Sequence, residues 1–352
     1  MSWSDAFKAE LASPTFAPIW AIEVVVVDAV PSVGGWWACS HNGTVVSGAS
    51  VWIAEQGVNI QGQRLSVASW TSSIGAFTVD LTGDGSQILQ RVTRGTWLRV
   101  WMGFAGWGLE DYEPIAIGVV KNIRATPPVW TIECWDWASA LRGRQDPSDP
   151  DLFADIGTIT TLNGAYTGYT TPMTLTSTTG FQNTTSAVSV ASSLGDTFIS
   201  TYTGVSGATL TGVSTAMKFA YDGSAGGASG DTVTECAYLT GHPLDIARKV
   251  LCSSGTASAN GTYDTLPRYW GYNLPDALMD HDDMDRSKAE ILVTASGSYT
   301  CDILVTEAQT DGGSWMLSWL TPLGCFFATR QGRITVRPIF GESERDQVTC
   351  QI

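Results

Sequence analysis

Charged residues are scarce in this sequence: Asp, Glu, Lys and Arg make up 15% of its 352 residues, against about 25% in ordinary globular proteins. Coiled coils, long helical proteins and disordered chains need many more charged or proline-biased polar residues, so the composition excludes these classes. No apolar run reaches the length of about 18 residues that a transmembrane helix needs. Residues 1–11 also lack the apolar segment of a secretory signal, and we expect none.

Basic residues are the scarcer of the two charges. The chain has 19 Lys and Arg against 34 Asp and Glu, which gives a net charge of −15 and a pI near 4.5. A protein that grips nucleic acid through its phosphates needs clustered Lys and Arg. The negative net charge therefore argues against a sequence-specific nucleic-acid-binding protein. It is compatible with a protein that contacts nucleic acid without binding it.

Residues that carry metal or covalent chemistry are also few. The three histidines, His41, His242 and His281, have no other His or Cys at metal-ligand spacing. The seven cysteines are scattered and odd in number, which indicates small apolar residues in a reducing compartment. The chain has no Gly-x-Ser-x-Gly elbow, phosphate loop or dinucleotide fingerprint. We expect no enzyme, no metal and no cofactor.

Two acidic clusters each allow two interpretations. The run DALMDHDDMD (276–285) is the best cation candidate, but it lacks the Gly and the closing Glu of an EF-hand. Capping carboxylates at a helix N-terminus are the favoured explanation of this run. Glu110, Asp111 and Glu113 beside Trp107 and Tyr112 superficially resemble a sugar site. A polar loop between two strands is favoured there.

Hydrophobic periodicity indicates strands over most of the first 136 residues. Four-residue spacing of Trp3, Phe7 and Leu11 predicts a short helix over 3–12. After it, segments rich in β-branched and aromatic residues alternate with period two, at 20–28, 44–54, 64–70, 77–82, 97–104, 113–124 and 130–136. Such alternation predicts an antiparallel barrel or sandwich rather than a parallel sheet.

Composition changes along the chain predict its domains. The fold class we expect is mainly β with an α+β C-terminal part. In order, the predicted parts are an N-terminal tube-like β-barrel domain (1–144), a proline-containing acidic linker (145–157), a small all-β insert rich in Thr, Ser and Gly (158–222) and an α+β domain with a second tube-like β part (223–352). Helices are predicted in the last part at 242–252, 283–295 and 313–320, and a hairpin at 325–330 with 333–339.

Three groups of segments resemble the baseplate hub or tail-tip proteins of tailed bacteriophages. The first group is similar to their first barrel and comprises FTVDLT (77–82), RGTWLRV (94–100), PIAIGVV (114–120) and WTIECWD (130–136). The second is similar to a small β module inserted in many tail proteins and comprises TLTSTTGF (174–181) and YTGVSGATLTGV (202–213). The third is similar to a hub segment before a second tube-like domain and comprises VLCSSG (250–255) and YDTLPRYWGYNLP (263–275). Their joint order carries the resemblance.

The resemblance implies a structural virion protein rather than an enzyme. Hub proteins form a ring, commonly a homotrimer with two tube-like β-barrels per chain, which caps the tail tube and joins it to the host-recognition tip. The implied partners are other copies of the chain, a tail tube or distal tail protein, and tail fibre or tip proteins. The implied location is the virion tail tip after synthesis in the host cytoplasm, with no membrane insertion by this chain.

Larger hubs continue beyond the point that corresponds to Ile352, so a fibre or receptor-binding extension is expected on a separate chain. Two alternatives stay open. One is a hexameric distal tail protein. The other, from a different class, is a carbohydrate-binding or glycan-hydrolysing tail protein that uses the tryptophans at Trp36, Trp37 and Trp107.

The charge balance adds a prediction about a DNA channel. An acidic lumen would repel phosphate and let DNA slide during genome ejection. Unpaired buried carboxylates cost several kcal/mol each, so solvent-filled surfaces must hold the excess of them. The candidate channel-lining residues are Asp80, Asp84, Glu110, Asp111, Glu307 and Asp311.

Overall fold

The fold, given by a computed structural model, consists of two compact units. The structure describes residues 4–13, 17–25, 36–40, 51–61, 64–66, 71–73, 76–137, 141, 151–166, 172–183, 186–194, 197–218, 226–253, 266, 270–274, 276–290, 293–294, 297–298, 300–330 and 332–338. The first unit takes Met1–Asp149, Leu274–Ala295 and Asp311–Ile352, and the second takes Pro150–Asn273 and Ser296–Thr310. The backbone therefore leaves the first unit and returns to it twice.

Strands outnumber helices among the described residues. The strands are β1 (Ile19–Val25), β2 (Trp36–Ser40), β3 (Val51–Ile60), β4 (Arg64–Ser66), β5 (Thr71–Ser73), β6 (Phe77–Gly83), β7 (Trp97–Gly103), β8 (Glu113–Thr126), β9 (Val129–Asp136), β10 (Ile159–Thr161), β11 (Met173–Thr174), β12 (Ser186–Ala191), β13 (Thr197–Tyr202), β14 (Gly204–Ser206), β15 (Thr209–Thr211), β16 (Ser214–Lys218), β17 (Thr232–Gly241), β18 (Val293–Thr294), β19 (Gly297–Ser298), β20 (Cys301–Val305), β21 (Cys325–Arg330) and β22 (Arg333–Pro338). The helices are α1 (Asp5–Leu11), α2 (Gly85–Arg91), α3 (Pro243–Cys252), α4 (His281–Glu290) and α5 (Gly312–Leu320). Within the ranges given above, no helix has the length and apolar character that crossing a membrane requires.

Seven strands of the first unit close into a barrel. Their order is β1-β2-β3-β6-β9-β8-β7, and β7 pairs back with β1. The neighbouring strands are antiparallel except β2 and β3, which run parallel. In β6, Phe77, Val79 and Leu81 are buried in the core while Thr78 and Asp80 alternate with them. This alternation confirms the predicted mainly β fold with an antiparallel barrel.

Apolar side chains fill the barrel. The buried core includes Ile22, Val24, Val51, Ile53, Phe77, Val79, Leu81, Leu98, Val100, Ala116, Val120, Ile132 and Cys134. Helix α2 adds Ile88 to this core, and α1 packs Phe7 against Met102 and Phe104 at the end of β7. Each large apolar side chain that is fully buried stabilises the fold by about 1.5–3 kcal/mol. The barrel is therefore a packed core, and a DNA channel would have to lie outside it.

The C-terminal part of the first unit is α+β, as predicted. Strands β21 and β22 form the predicted antiparallel hairpin, with Gly332 at a φ of +60° in the connection. A residue without Cβ adopts that left-handed conformation at no steric cost. Trp137, which follows β9, packs edge-on against Phe327 of this hairpin, with ring centroids 5.1 Å apart. Helix α4 begins two residues before the predicted 283 and ends at Glu290, and the predicted extension to 295 is wrong because 293–294 form β18.

The second unit is built around a six-stranded sheet. Its order is β10-β17-β12-β13-β16, and β20 pairs with the second half of β17. A separate three-stranded sheet has the order β11-β15-β14. Apolar side chains from both sheets, including Met173, Val188, Phe198, Leu210 and Val233, share one core.

The two units divide the chain differently from the predicted domains. Strand β17, which the sequence places after the insert, lies between β10 and β12, which the sequence places inside it. Residues 274–290 and 311–338 belong to the unit that holds the barrel, although the sequence groups them with β17. These associations depend on pairings between distant segments, which composition does not report. Of the predicted linker 145–157, residues 145–150 lie outside the described residues.

Two elements of the barrel were not predicted. Helix α2 begins after Asp84, whose carboxylate accepts a hydrogen bond from the Ser86 amide at 2.9 Å. Its seven residues are too few to show a helical period in the sequence. Strand β2 contains the consecutive tryptophans Trp36 and Trp37, and the sequence analysis assigned that region no strand. Residues 44–50 of the predicted strand at 44–54 lie outside the described residues.

Candidate functional site

An acidic pocket of about 360 Å³ lies where β7 turns into β8. Its lining residues are Ser4, Ala6, Trp107, Glu110, Asp111 and Glu113. A 3-10 turn at Leu109–Asp111 leaves the side chains of Glu110 and Asp111 exposed next to each other. The Glu113 carboxylate accepts a hydrogen bond from the Ser4 amide at 3.0 Å, so Glu113 ties α1 to this loop. Two of the six predicted channel carboxylates therefore meet here.

Aromatic side chains form the apolar support of this pocket. The Trp107 ring meets Phe104 edge-on at 5.0 Å between centroids and Phe7 at 6.4 Å. Trp52 and Trp101 are only partly buried and pack, with Trp107, against the buried Ile19, Ala21 and Tyr112. We call Trp107, Glu110 and Asp111, with the neighbouring Trp52 and Trp101, the acidic face. It combines two carboxylates with half-exposed tryptophans, a residue type that is enriched where another protein covers a surface.

The other four predicted channel residues do not join the acidic face. Asp80 on β6 is half-buried and accepts a hydrogen bond from the Thr131 hydroxyl at 2.6 Å. Asp84 and Asp311 are N-caps: Asp84 caps α2, and Asp311 accepts the Ser314 amide at 2.8 Å at the start of α5. Glu307 is exposed in the second unit.

The local role of the two caps follows from hydrogen bonding. Hydrogen bonds from the Ser86 hydroxyl and amide hold the pKa of Asp84 below its usual range, because they stabilise the ionised form. A capping carboxylate satisfies amides that have no partner inside the helix. Asp84 and Asp311 thus have a structural reason to be acidic, and the channel-lining assignment of all six residues stays a prediction.

A basic cluster surrounds Trp135 on the wall formed by β8 and β9. The Arg94 guanidinium lies 5.5 Å from the Trp135 ring centroid, and the Lys121 ammonium lies 6.0 Å from it. Arg124 forms a 3.0 Å ion pair with Glu133. We call Arg94, Lys121, Arg124 and Trp135 the Trp135 patch. Next to it is a pocket of about 340 Å³, lined by Asn59, Gln61, Ala76, Phe77, Thr78, Lys121, Arg124, Glu133, Cys134 and Trp135.

Sequence reasoning missed the Trp135 patch because its members are far apart in the chain. The register pairs Val119 of β8 with both Trp97 of β7 and Trp135 of β9, which brings the three segments together. The available signal was the Arg-Gly turn at Arg94 together with the alternation along β8. Neither signal gives the register.

Carboxylates of the acidic run 276–285 form a helix cap and ion pairs. Asp280 caps α4 by accepting the Asp283 amide at 3.1 Å. Asp283 itself is buried and forms ion pairs with Arg330, with Arg286 at 3.1 Å and with Arg337 at 3.3 Å. Its second oxygen also accepts the Thr335 hydroxyl at 2.9 Å. The capping interpretation therefore holds for Asp280, while Asp283 attaches α4 to the β21–β22 hairpin.

A buried polar network lies in the second unit. Glu235 on β17 accepts hydrogen bonds from the Tyr202 hydroxyl at 2.6 Å and the Gln182 amide at 2.7 Å. Burial raises the pKa of Glu235, and the nearby Asp155 carboxylate raises it further. Asp155 in turn accepts hydrogen bonds from the Gln182 side chain at 2.7 Å and from the Trp270 indole at 3.0 Å.

Two buried thiols and a capping histidine have structural surroundings in the described part of the chain. Burial raises the pKa of the Cys236 and Cys325 thiols to about 12, which keeps them protonated and unreactive. Within the described ranges, no group of three His, Cys, Asp or Glu side chains is arranged to hold a metal ion. His242 caps α3 by accepting the Leu244 amide at its Nδ1, at 3.2 Å.

Comparison with known proteins gives weak structural similarity to solved structures. No protein-family model matches the chain, and no curated protein matches it. Among solved structures, the chain is similar to one described as "Virion of native gene transfer agent (GTA) particle", with a TM-score of 0.26 and 15% sequence identity. The match covers 66% of this chain and 84% of that one. A TM-score of this size does not establish a shared fold.

Proposed function

We propose that the chain is a structural protein of a phage virion, and more specifically a hub subunit. In this role, copies of the chain form a ring that caps the tail tube and joins it to the host-recognition tip. The ring would be a homotrimer that surrounds the path of the DNA. The chain would act by assembly and would have no catalytic activity.

The observation that carries the proposal is where the hub-like segments lie in the fold. The segments at 77–82, 94–100, 114–120 and 130–136 supply β6, β7, β8 and β9. In the barrel these strands are consecutive neighbours in the order β6-β9-β8-β7. The resemblance therefore covers one continuous wall of a closed barrel rather than scattered loops.

The filled interior of the barrel supports a ring rather than a pore within one chain. Buried side chains such as Ile53, Leu81 and Val100 occupy the space that DNA would need. A channel can then form only between several copies, with barrel walls lining it. A net charge of −15 suits such a lumen, because carboxylates repel phosphate and leave the DNA free to slide.

Electron microscopy of the purified chain tests the proposal. We expect rings with a central opening wide enough for duplex DNA, and antibodies to the chain should label the tail tip of intact particles. Three copies per ring would support the hub, and six copies would instead support a distal tail protein. A chain that stays monomeric and labels no part of the tail would contradict both.

The acidic pocket favours glycan binding or hydrolysis as a second candidate function. Trp107 and the adjacent carboxylates Glu110 and Asp111 line one concave surface, and sugar sites combine aromatic and carboxyl groups in this way. Incubation of the purified chain with bacterial cell-wall and surface glycans tests this function. Hydrolysis or retention that is lost in Glu110→Gln/Asp111→Asn would support the glycan function and overturn the purely structural one.

A further inference from the structure

The Trp135 patch holds cations that lack carboxylate partners. Among the described residues, no carboxylate forms an ion pair with Arg94 or Lys121, and both are exposed beside the half-buried Trp135 ring. Arg124 has Glu133, yet its side chain remains 65% exposed. The patch therefore carries an excess of two positive charges in a chain with a net charge of −15. The attraction between a cation and an aromatic face strengthens when water is excluded, which a covering partner would achieve.

The acidic face lies toward the other end of the same barrel wall. Strand β7 runs from Trp97, which pairs with Val119, to Met102, which pairs with Glu113. Glu113 and Lys121 are eight residues apart on β8. At about 3.3 Å per residue they are separated by about 26 Å. One molecule cannot bring its own patch and face together across that distance, but two copies can.

We propose that the Trp135 patch of one copy binds the acidic face of the next copy. The inference rests on the proposed ring, names the surfaces that build it, and places Glu110 and Asp111 at this contact instead of in the channel. Glu110 and Asp111 supply two exposed negative charges, and Glu113, which accepts the Ser4 amide in the same pocket, supplies a third, so the acidic face is opposite in sign to the patch. Trp107 and Trp135 supply half-buried aromatic anchors to the two sides, as the cores of protein interfaces commonly do. Because the two surfaces differ, the contact is head-to-tail, and repetition closes a ring when the rotation permits.

Charge reversal on each surface tests the inference. Arg94→Glu/Lys121→Glu makes both contacting surfaces acidic, and Glu110→Lys/Asp111→Lys makes both basic. Either variant should weaken self-association about 100-fold, since juxtaposed like charges are strongly unfavourable. The variant with all four substitutions has the wild-type net charge and a reversed but complementary pair of surfaces, so it should associate again. Analytical ultracentrifugation over a range of protein and salt concentrations measures each case.

Mixing the two reversed variants adds a test of geometry. Each patch then meets a complementary face only on the other variant, so copies must alternate around the ring. A ring in which the two variants alternate can close only with an even number of copies. In a ring of three, two copies of the same variant would be neighbours, and their like-charged surfaces would repel. We expect open assemblies of the two variants if the ring is a trimer and closed rings if it is a hexamer.

The outcomes separate this inference from the proposed function. A wild-type chain that remains monomeric refutes the ring itself. Rings that form equally well in both reversed variants leave the ring standing and overturn the assignment of its contact surfaces. Failure of the four-substitution variant to associate, although it folds as the wild type does, also overturns the assignment. The assignment is also overturned if the wild-type chain binds duplex DNA and Arg94→Glu/Lys121→Glu abolishes that binding, because the Trp135 patch would then be a nucleic-acid-binding site.

Discussion

Replacing the carboxylate at the centre of the arginine cluster should destabilise the first unit severely. Asp283 is 2% exposed and is the shared partner of Arg286, Arg330 and Arg337. Asp283→Asn keeps the size of the side chain but removes the negative charge that the three guanidinium groups share. The amide that replaces one oxygen can only donate hydrogen bonds, and it would face donors. The substitution therefore removes the attraction and adds unsatisfied polar groups.

The size of the effect follows from burial. The side chains of Arg330 and Arg337 are 12% and 16% exposed, so water screens them weakly once their partner is lost. Removal of one partner from a buried ion pair costs about 3–5 kcal/mol. A change of 1 kcal/mol shifts the melting temperature by about 2–4 °C in a domain of 150–250 residues. We therefore expect a fall of roughly 6–20 °C in the melting temperature of the first unit.

Thermal and denaturant unfolding measure this effect. Asp282→Asn is the matched control, because Asp282 is an exposed neighbour on the same helix and should change stability by less than about 0.5 kcal/mol. Arg330→Gln should cost less in the Asp283→Asn background than in the wild type, since its partner is already gone. Equal melting temperatures for Asp283→Asn and Asp282→Asn would refute the reasoning.

Three further predictions concern the core of each unit. Folding raises the pKa of Glu235 above its unfolded value of about 4.3. The free energy of unfolding should therefore fall as the pH rises from the unfolded pKa through the folded pKa. Urea unfolding of Glu235→Gln should show no such fall, and parallel pH profiles of the two proteins would contradict this. Gly118→Ala places a methyl group 2.7 Å from the Phe77 ring and against the backbone of β9, and should lower the free energy of unfolding by about 1–3 kcal/mol. Asn122→Ala on the same strand is the control and should change it little. Equal stability of the two variants would show that the barrel wall shifts to accommodate the methyl group. Deletion of 158–221 removes both neighbours of the first half of β17 and should therefore unfold the second unit. Circular dichroism measures this loss, and a remainder that keeps its β-sheet signal would make 158–221 an independent insert.

The barrel and several helices could be predicted because their signals are local. Alternation in segments such as 77–82 reports which side chains face a core, and the structure places Phe77, Val79 and Leu81 there. Helix α3 was predicted from Pro243 at its first turn and an apolar face, and Leu244, Ala247 and Val250 are fully buried in the structure. Such patterns need no knowledge of what the segment pairs with.

Apart from the short helix α2, the main features that sequence reasoning missed depend on long-range pairing. The position of β17 between β10 and β12 joins segments that lie more than forty residues apart. Asp283 meets Arg330, Thr335 and Arg337 only because the hairpin packs on α4, so the sequence shows a run of acids and no partner for it. The Trp135 patch needs the register of three strands. Local periodicity gives the face of a strand but not its neighbour.

Native mass spectrometry of the purified chain tests the central claim most directly. The account predicts a closed assembly with the mass of three copies of the 37.6 kDa chain, stable on dilution and independent of added DNA. A mass of six copies would support the distal tail alternative within the same class of virion protein. A single 37.6 kDa species at micromolar concentration, under conditions where the chain is folded, would contradict the account.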